Sequence, residues 1–223
     1  MSDLPGLWYL SRAAGLALLV LLTVTLALGV VATARRTPSW WPRFATASLH
    51  RNLAGLSVAL LVTHIVTSVA DSFVPITWVD ALVPFRSAYR PLWLGLGTVA
   101  STVLAVVVLT AAARRALPPH VWRRSHYLVY VAWPAAVLHG LGTGSDATSR
   151  PVLALTFGCV GVVAVATVVR FTVATEHSWA RTTVRLTAVV LPVALGLWLG
   201  SADGPLRPGW AERSGTPGTE GSP

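Results

Sequence analysis

Long runs of apolar residues, separated by short polar segments, form the main pattern along this chain. The runs lack the alternation of a membrane β-barrel strand, and a helix satisfies its own backbone hydrogen bonds inside lipid. Each run is close to the ~20 residues with which a helix crosses about 30 Å of hydrocarbon. The pattern predicts an all-α integral membrane bundle of about six transmembrane helices: Ala13–Ala34, Asn52–Ala70, Pro91–Ala113, Ser125–Ser145, Pro151–Val169 and Leu186–Ala202.

Composition agrees with a protein surrounded by lipid. Of the 223 residues, 54% are hydrophobic and 11% are charged, against about 25% charged residues in an average soluble protein. We expect one six-helix domain over residues 13–202, after a short outer segment at residues 1–12. The Gly-, Pro-, Ser- and Thr-rich residues 203–223 are predicted to form a disordered outer tail. The single cysteine, Cys159, excludes an internal disulfide and is expected to be a buried apolar residue.

Arginine supplies all 17 basic side chains and gives the chain its net charge of +9. The arginines are concentrated in three of the five connecting segments, unlike the continuous basic groove of a nucleic-acid-binding protein, so no nucleic acid is expected as a partner. The positive-inside rule then places the first, third and fifth connections in the cytoplasm and both termini outside. The clustered residues are Arg35, Arg36, Arg43, Arg51, Arg114, Arg115, Arg123, Arg124, Arg170, Arg181 and Arg185.

The first apolar run has a second interpretation, as a cleaved signal peptide ending at Ala32-Thr33-Ala34. The length of the run favours a retained span. So does Asp3, because its negative charge offsets that of Arg12 in the segment that would be the positively charged start of a signal peptide. Cleavage would also place the arginines of the first connection outside, against the charge pattern of the later connections.

Four histidines lie at two matched depths of the second and fourth predicted spans. His50 and His126 stand at the cytoplasmic starts of these spans, whereas His64 and His139 stand nearer their outer ends. The fourteen residues from His50 to His64 rise about 21 Å, and the thirteen from His126 to His139 rise about 19.5 Å. Because neutral imidazole is a common ligand of haem iron, the spacing predicts two b-type haems, one held by the His50–His126 pair and one by the His64–His139 pair.

The positions of the histidines around the two helix axes match less well than their depths in the membrane. His50 and His64 share a face of an ideal helix, but a thirteen-residue separation leaves His126 and His139 roughly 140° apart. Pro134 lies between them, and we expect a kink or local rewinding there to bring the two rings into line. Small residues that would let a flat ring approach the backbone are Gly55, Ala59, Ala135, Ala136 and Gly140.

Several arginines are candidates for pairing with haem carboxylates. Arg51, Arg123 and Arg124 would serve the haem of the His50–His126 pair, and Arg86 or Arg90 the other. Each is also explained as an interface anchor at a helix end. His120 and His177 fall in cytoplasmic connections and are expected to be solvated.

The glycines of the segment 140–144 follow a membrane helix rather than a strand, so they predict a helix-ending turn and no flavin or nicotinamide site. No nucleophile–base pair or carboxylate dyad is found, so no catalytic residue is predicted in the chain.

The segments Leu49-His50-Arg51-Asn52-Leu53-Ala54-Gly55, Thr63-His64, Ser125-His126-Tyr127-Leu128-Val129-Tyr130 and Leu138-His139-Gly140 resemble the ferric reductase-like transmembrane domain. That superfamily includes NADPH oxidases, ferric reductases and the haem subunit of the bacterial periplasmic methionine sulfoxide reductase system. The resemblance covers roughly residues 45–175 and includes both histidine spacings. It implies that His50 and His126 ligate an inner haem b, that His64 and His139 ligate an outer one, and that electrons pass from a cytoplasmic flavin donor to an outside acceptor.

The chain departs from the oxidases and ferric reductases in having no FAD/NADPH domain after the haem helices, which makes its organisation more like that of the sulfoxide reductase subunit. We therefore expect the membrane haem subunit of an oxidoreductase in a bacterial cell membrane, rather than a complete enzyme. Its expected partners are the lipid bilayer, a cytoplasmic flavoprotein or dehydrogenase (or quinol) as donor, and an outer-side protein or small molecule as acceptor.

Two other functions remain open from the residues alone. A non-haem transporter or channel would use its intramembrane histidines for protons or metal ions. A scaffold subunit would carry them incidentally.

Overall fold

The computed structural model describes residues 5–34, 42–72, 74–174 and 197–201, together with Gly204, Arg207 and Trp210. All regular elements within these residues are helices, which confirms the predicted all-α class for the described part of the chain. The long helices are α1 (Pro5–Ala34), α2 (Arg43–Ala70), α4 (Pro91–Ala112), α6 (Val129–Thr143) and α7 (Arg150–Ala174). Two short helices, α3 (Trp78–Leu82) and α5 (Pro119–His126), lie between them.

Four of the helices contain a stretch that is long and apolar enough to cross a membrane. These stretches are Gly6–Val30, Phe44–Ala70, Pro91–Ala112 and Arg150–Val168, with 25, 27, 22 and 19 residues. At a rise of about 1.5 Å per residue, each reaches roughly 28 Å or more. They correspond to the first, second, third and fifth predicted spans. The predicted sixth span, Leu186–Ala202, falls mostly outside the described residues.

The fourth predicted span, Ser125–Ser145, is two helices rather than one. α5 ends at His126, and Tyr127 and Leu128 form a turn before α6 begins. The hydrogen bonds of the turn are of the i→i−3 type found in 3₁₀ helices. They run from the Leu128 amide to the Ser125 carbonyl (3.1 Å) and from the Tyr130 amide to the Tyr127 carbonyl (3.1 Å). α6 continues through Pro134, so the turn that separates the two helices lies ahead of the proline. The kink or local rewinding expected at Pro134 stays a prediction from the sequence.

Two described features near the ends of the chain lie outside the predicted spans. α1 begins at Pro5, so Ser11 and Arg12 are helical residues rather than part of a separate N-terminal segment. Trp210 belongs to the segment predicted to be disordered, yet it is buried, with its ring centre 5.9 Å from that of Trp93. The large apolar area of a tryptophan makes such burial favourable.

By their contacts, the described residues divide into two units. The first unit contains α1 up to Leu16, the residues from Leu61 to Ala147, and Trp210. Within it α4 packs against α6, α5 and α3. Its core is lined by small and branched apolar side chains, which suit close helix packing: Ala100, Leu104, Val107, Ala132, Val137 and Leu141.

The second unit contains the remainder of α1, α2 up to Leu60, and α7. Buried leucines recur every fourth residue along α1, at Leu18, Leu22 and Leu26, which is the spacing of one helix face. Cys159 of α7 is buried, as predicted.

Candidate functional site

Two of the four predicted ligands, His64 of α2 and His139 of α6, lie together in the first unit. Their ring centres are 6.2 Å apart, and the ring planes make an angle of 81°. The side chains are half-buried, and the stretch of α2 that contains His64 is apolar enough to cross a membrane. Placing two polar rings between apolar helices costs free energy unless the rings bind a ligand or form hydrogen bonds.

Both rings are held through the same nitrogen. His64 Nδ1 lies 2.9 Å from the Ser11 carbonyl oxygen of α1, and His139 Nδ1 lies 3.0 Å from the Trp93 carbonyl oxygen of α4. A carbonyl can only accept, so Nδ1 is the donor in each case. The neutral ring then carries its lone pair on Nε2, the nitrogen left to bind a metal or accept a proton.

The separation of the two rings fits a pair of ligands on one iron. A metal–imidazole bond of about 2 Å on each side, plus roughly 1 Å from each bonding nitrogen to its ring centre, places two ring centres about 6 Å apart. The 81° angle between the ring planes would not prevent both rings from binding one iron, because an imidazole can rotate about its own metal–nitrogen bond. The donor set of two neutral imidazoles therefore fits a bis-histidine haem.

His50 is held in the same way in the second unit. Its Nδ1 donates to the Thr25 carbonyl oxygen of α1 over 2.9 Å. His50 is thereby fixed as the tautomer whose Nε2 carries the lone pair.

His126 is the last residue of α5, in the first unit, and its ring stacks on that of Trp122 with centres 5.7 Å apart. His50 and His126 belong to different units, and each is described by itself. The pairing of these two residues stays a prediction from the sequence.

The predicted arginines differ in their surroundings. Arg51, Arg86, Arg123 and Arg124 are exposed. Arg90, in contrast, is buried, and it donates from Nη1 to the Gly142 carbonyl oxygen over 2.7 Å. Its guanidinium also lies over the rings of Tyr89 and Trp210, at 5.2 and 5.6 Å from their centres. Arg90 therefore has a packing role between α4 and α6, whatever else it contacts.

Arg12 was not singled out from the sequence, yet it lies near the His64–His139 pair. It directly follows Ser11, whose carbonyl oxygen accepts the hydrogen bond from His64 Nδ1. It forms an ion pair with Asp146, while its Nε is buried without a partner among the described residues. An arginine inside an apolar helix is the signal that would have identified it, had the start of α1 been placed ahead of residue 13.

Of the remaining histidines, His120 is exposed, as predicted, and His177 lies outside the described residues. Within the described ranges no three His, Cys, Asp or Glu side chains are grouped as a metal site; a bis-histidine site has only two protein ligands. The chain matches no protein-family model, no curated protein and no solved structure. A proposal of function therefore rests on the histidines and their surroundings.

Proposed function

We propose that this protein is a membrane-embedded electron-transfer subunit that binds haem b between histidines of its helices. The observation that carries the proposal is the His64–His139 pair. The two rings stand at the separation expected for ligands of one iron, and a backbone carbonyl sets the tautomer of each. A haem bound there supplies reversible one-electron chemistry at its iron.

The chain's own residues would bind and orient the group. His64 and His139 each offer the Nε2 lone pair, because Nδ1–H of each is committed to the carbonyl of Ser11 or Trp93. The buried Nε of Arg12 is a donor suited to a ligand carboxylate. Apolar side chains of the surrounding helices would limit the access of water to a group bound there, which favours one-electron transfer over side reactions with solvent.

A second haem is proposed for His50 and His126, on the spacing of the histidines in the sequence and on the hydrogen bond from His50 to Thr25. The arginine distribution supports a donor on the cytoplasmic side, a flavoprotein, dehydrogenase or quinol, and an acceptor outside. In this proposal the chain is one component of a transmembrane oxidoreductase in a bacterial cell membrane. The donor supplies the electrons and the acceptor takes them up.

The test is a count of haems in the purified protein. Protein extracted in detergent from haem-replete cells should give a b-type difference spectrum after dithionite reduction, and a pyridine haemochrome assay should give about two haems per chain. His64→Ala and His139→Ala should each remove one haem and leave the other. The matched control is His120→Ala on the exposed face of α5, which should keep both.

Two results would contradict the proposal. One is a folded, haem-free protein from cells with abundant haem. That result would favour the alternative, in which the same two Nε2 atoms relay protons or bind a metal ion. The other is equal retention of both haems in the His64 and His139 variants, which would break the proposed pairing.

A further inference from the structure

His50, His64 and His139 each form the same kind of hydrogen bond to a neighbouring helix. Each donates Nδ1–H to a helix carbonyl, and in each case the residue four positions after that carbonyl is a glycine. We call this arrangement a carbonyl–glycine notch. The notches are Ser11/Gly15 for His64, Thr25/Gly29 for His50 and Trp93/Gly97 for His139.

The glycine leaves room for the histidine ring. A Cβ added to Gly97 would lie 2.5 Å from His139 Nδ1, and one added to Gly15 would lie 3.1 Å from His64 Cε1. The corresponding distance at Gly29 is 3.3 Å, to His50 Cε1. Gly97 is thus the tightest of the three notches and Gly29 the least tight.

Helix geometry explains why the glycine stands four residues after the carbonyl. The carbonyl of residue i already accepts the amide of residue i+4, and its second lone pair remains for another donor. The Cβ of residue i+4 tilts toward the helix N-terminus and covers the turn that contains this carbonyl. Without a Cβ, the carbonyl is open to a side chain from the next helix.

The sequence repeats the notch at the spacing of the histidines. Ser11-Arg12-Ala13-Ala14-Gly15 and Thr25-Leu26-Ala27-Leu28-Gly29 are fourteen residues apart on α1, as are His50 and His64 on α2. Glycines that served only close helix packing would not need to follow the histidine spacing.

From these contacts we infer that Gly15, Gly29 and Gly97 are positioning residues: each opens one helix carbonyl, which fixes its histidine as the Nδ1–H tautomer and directs Nε2 toward iron. The inference rests on the proposed function for the iron, but the effect on tautomer is a property of the protein alone.

The experiment replaces each glycine by alanine in the full chain. Gly97→Ala and Gly15→Ala should each weaken retention of the haem at the His64–His139 pair by about 10- to 100-fold, the usual effect of losing a hydrogen bond behind a metal ligand. Gly29→Ala should have a smaller effect, confined to the haem at His50. The matched controls are Gly6→Ala on α1 and Gly158→Ala on α7, where an added Cβ has no described residue within 4 Å. Both should behave as the unmodified chain.

A second readout separates positioning from packing. Nitrogen-15 NMR of labelled histidine, on protein purified without haem, should find His64 as the Nδ1–H tautomer in the unmodified chain and in Gly6→Ala. In Gly15→Ala that preference should be lost. Gly15→Ala and Gly29→Ala use the less crowded notches, so the test holds even if Gly97→Ala does not fold.

The inference is overturned if the folded glycine variants keep both the tautomer and the haem affinity of the unmodified chain. It is also overturned if Gly6→Ala and Gly158→Ala lose haem to the same extent. If the unmodified chain binds no haem at all, the proposed function fails, and the tautomer measurement alone then supports or overturns the role of the glycines.

Discussion

Arg12 of α1 forms an ion pair with Asp146, which lies just after the end of α6. The two side chains are 18% and 35% exposed, so water screens the pair only in part. Gly144 allows this approach, since a Cβ there would lie 2.7 Å from Arg12 Nη2. The pair therefore ties the helix that holds His64 to the segment that follows His139.

Removing Asp146 should destabilise the protein more than removing both charges. Asp146→Asn leaves the Arg12 cation partly buried without its partner, at a cost of about 1–3 kcal/mol, between the values for exposed and buried pairs. Arg12→Gln combined with Asp146→Asn removes the uncompensated charge and should recover part of the loss. Thermal unfolding in detergent measures both variants. A double variant less stable than Asp146→Asn would refute this account of the pair.

Arg12 should also raise the reduction potential of a haem at the His64–His139 pair. A nearby positive charge favours the reduced state of the iron, so Arg12→Gln should lower the midpoint potential by on the order of tens of millivolts. The control is Arg86→Gln, which removes an exposed arginine and should shift the potential much less. Spectroscopic redox titration measures both. An unchanged or higher potential in Arg12→Gln would mean that the Asp146 carboxylate cancels the charge at the iron.

Hydrophobic patterning was sufficient to predict the helical class and the four long spans, because length and apolarity alone decide whether a helix can cross lipid. It did not predict the break between α5 and α6, since Tyr127 and Leu128 are as compatible with a helix as their neighbours. Proline was the more obvious breaker, yet α6 continues through Pro134. Such choices depend on tertiary packing, which periodicity does not encode.

The histidines of the site were predicted from their spacing, but what holds them was not. A hydrogen bond to a backbone carbonyl has no side-chain signature, so Ser11, Thr25 and Trp93 could not be identified from residue type. The usable signal was the glycine four residues later. Sequence reasoning pointed instead to Gly55 and Gly140, where an added Cβ meets nothing within 4 Å among the described residues.

Thr98 of α4 forms a hydrogen bond to the short helix α3, and removing its hydroxyl should lower the stability of the protein. Thr98 Oγ1 donates to the Asp80 carbonyl oxygen over 2.8 Å, and both residues are buried. Thr98→Val keeps the shape but leaves that carbonyl without this donor, which should cost about 1–3 kcal/mol. Thr102→Val is the matched control: Thr102 is exposed, and its hydroxyl donates to the Thr98 carbonyl oxygen within α4. Thermal unfolding should separate the two, and equal losses would contradict the role of the Asp80 contact.

Thr110 should affect the environment of His126 and leave the His64–His139 pair unchanged. Ser125, next to His126, donates its hydroxyl to Thr110 Oγ1 over 2.9 Å, and Thr110 in turn donates to the Val106 carbonyl oxygen over 2.7 Å. Thr110→Val removes the acceptor that ties the end of α5 to α4, so the orientation of His126 should become less defined. We expect a few-fold weaker retention of the haem assigned to His126, comparable to the loss of one neutral hydrogen bond.

Thr110→Ser keeps the hydroxyl and is the matched control for this change. The haem content of each variant, alone and combined with His139→Ala, assigns any loss to one haem. A Thr110→Val effect confined to the haem that His139→Ala removes would contradict the assignment of His126 to a separate site. An equal effect of Thr110→Ser would show that side-chain volume, rather than the hydrogen bond, controls the end of α5.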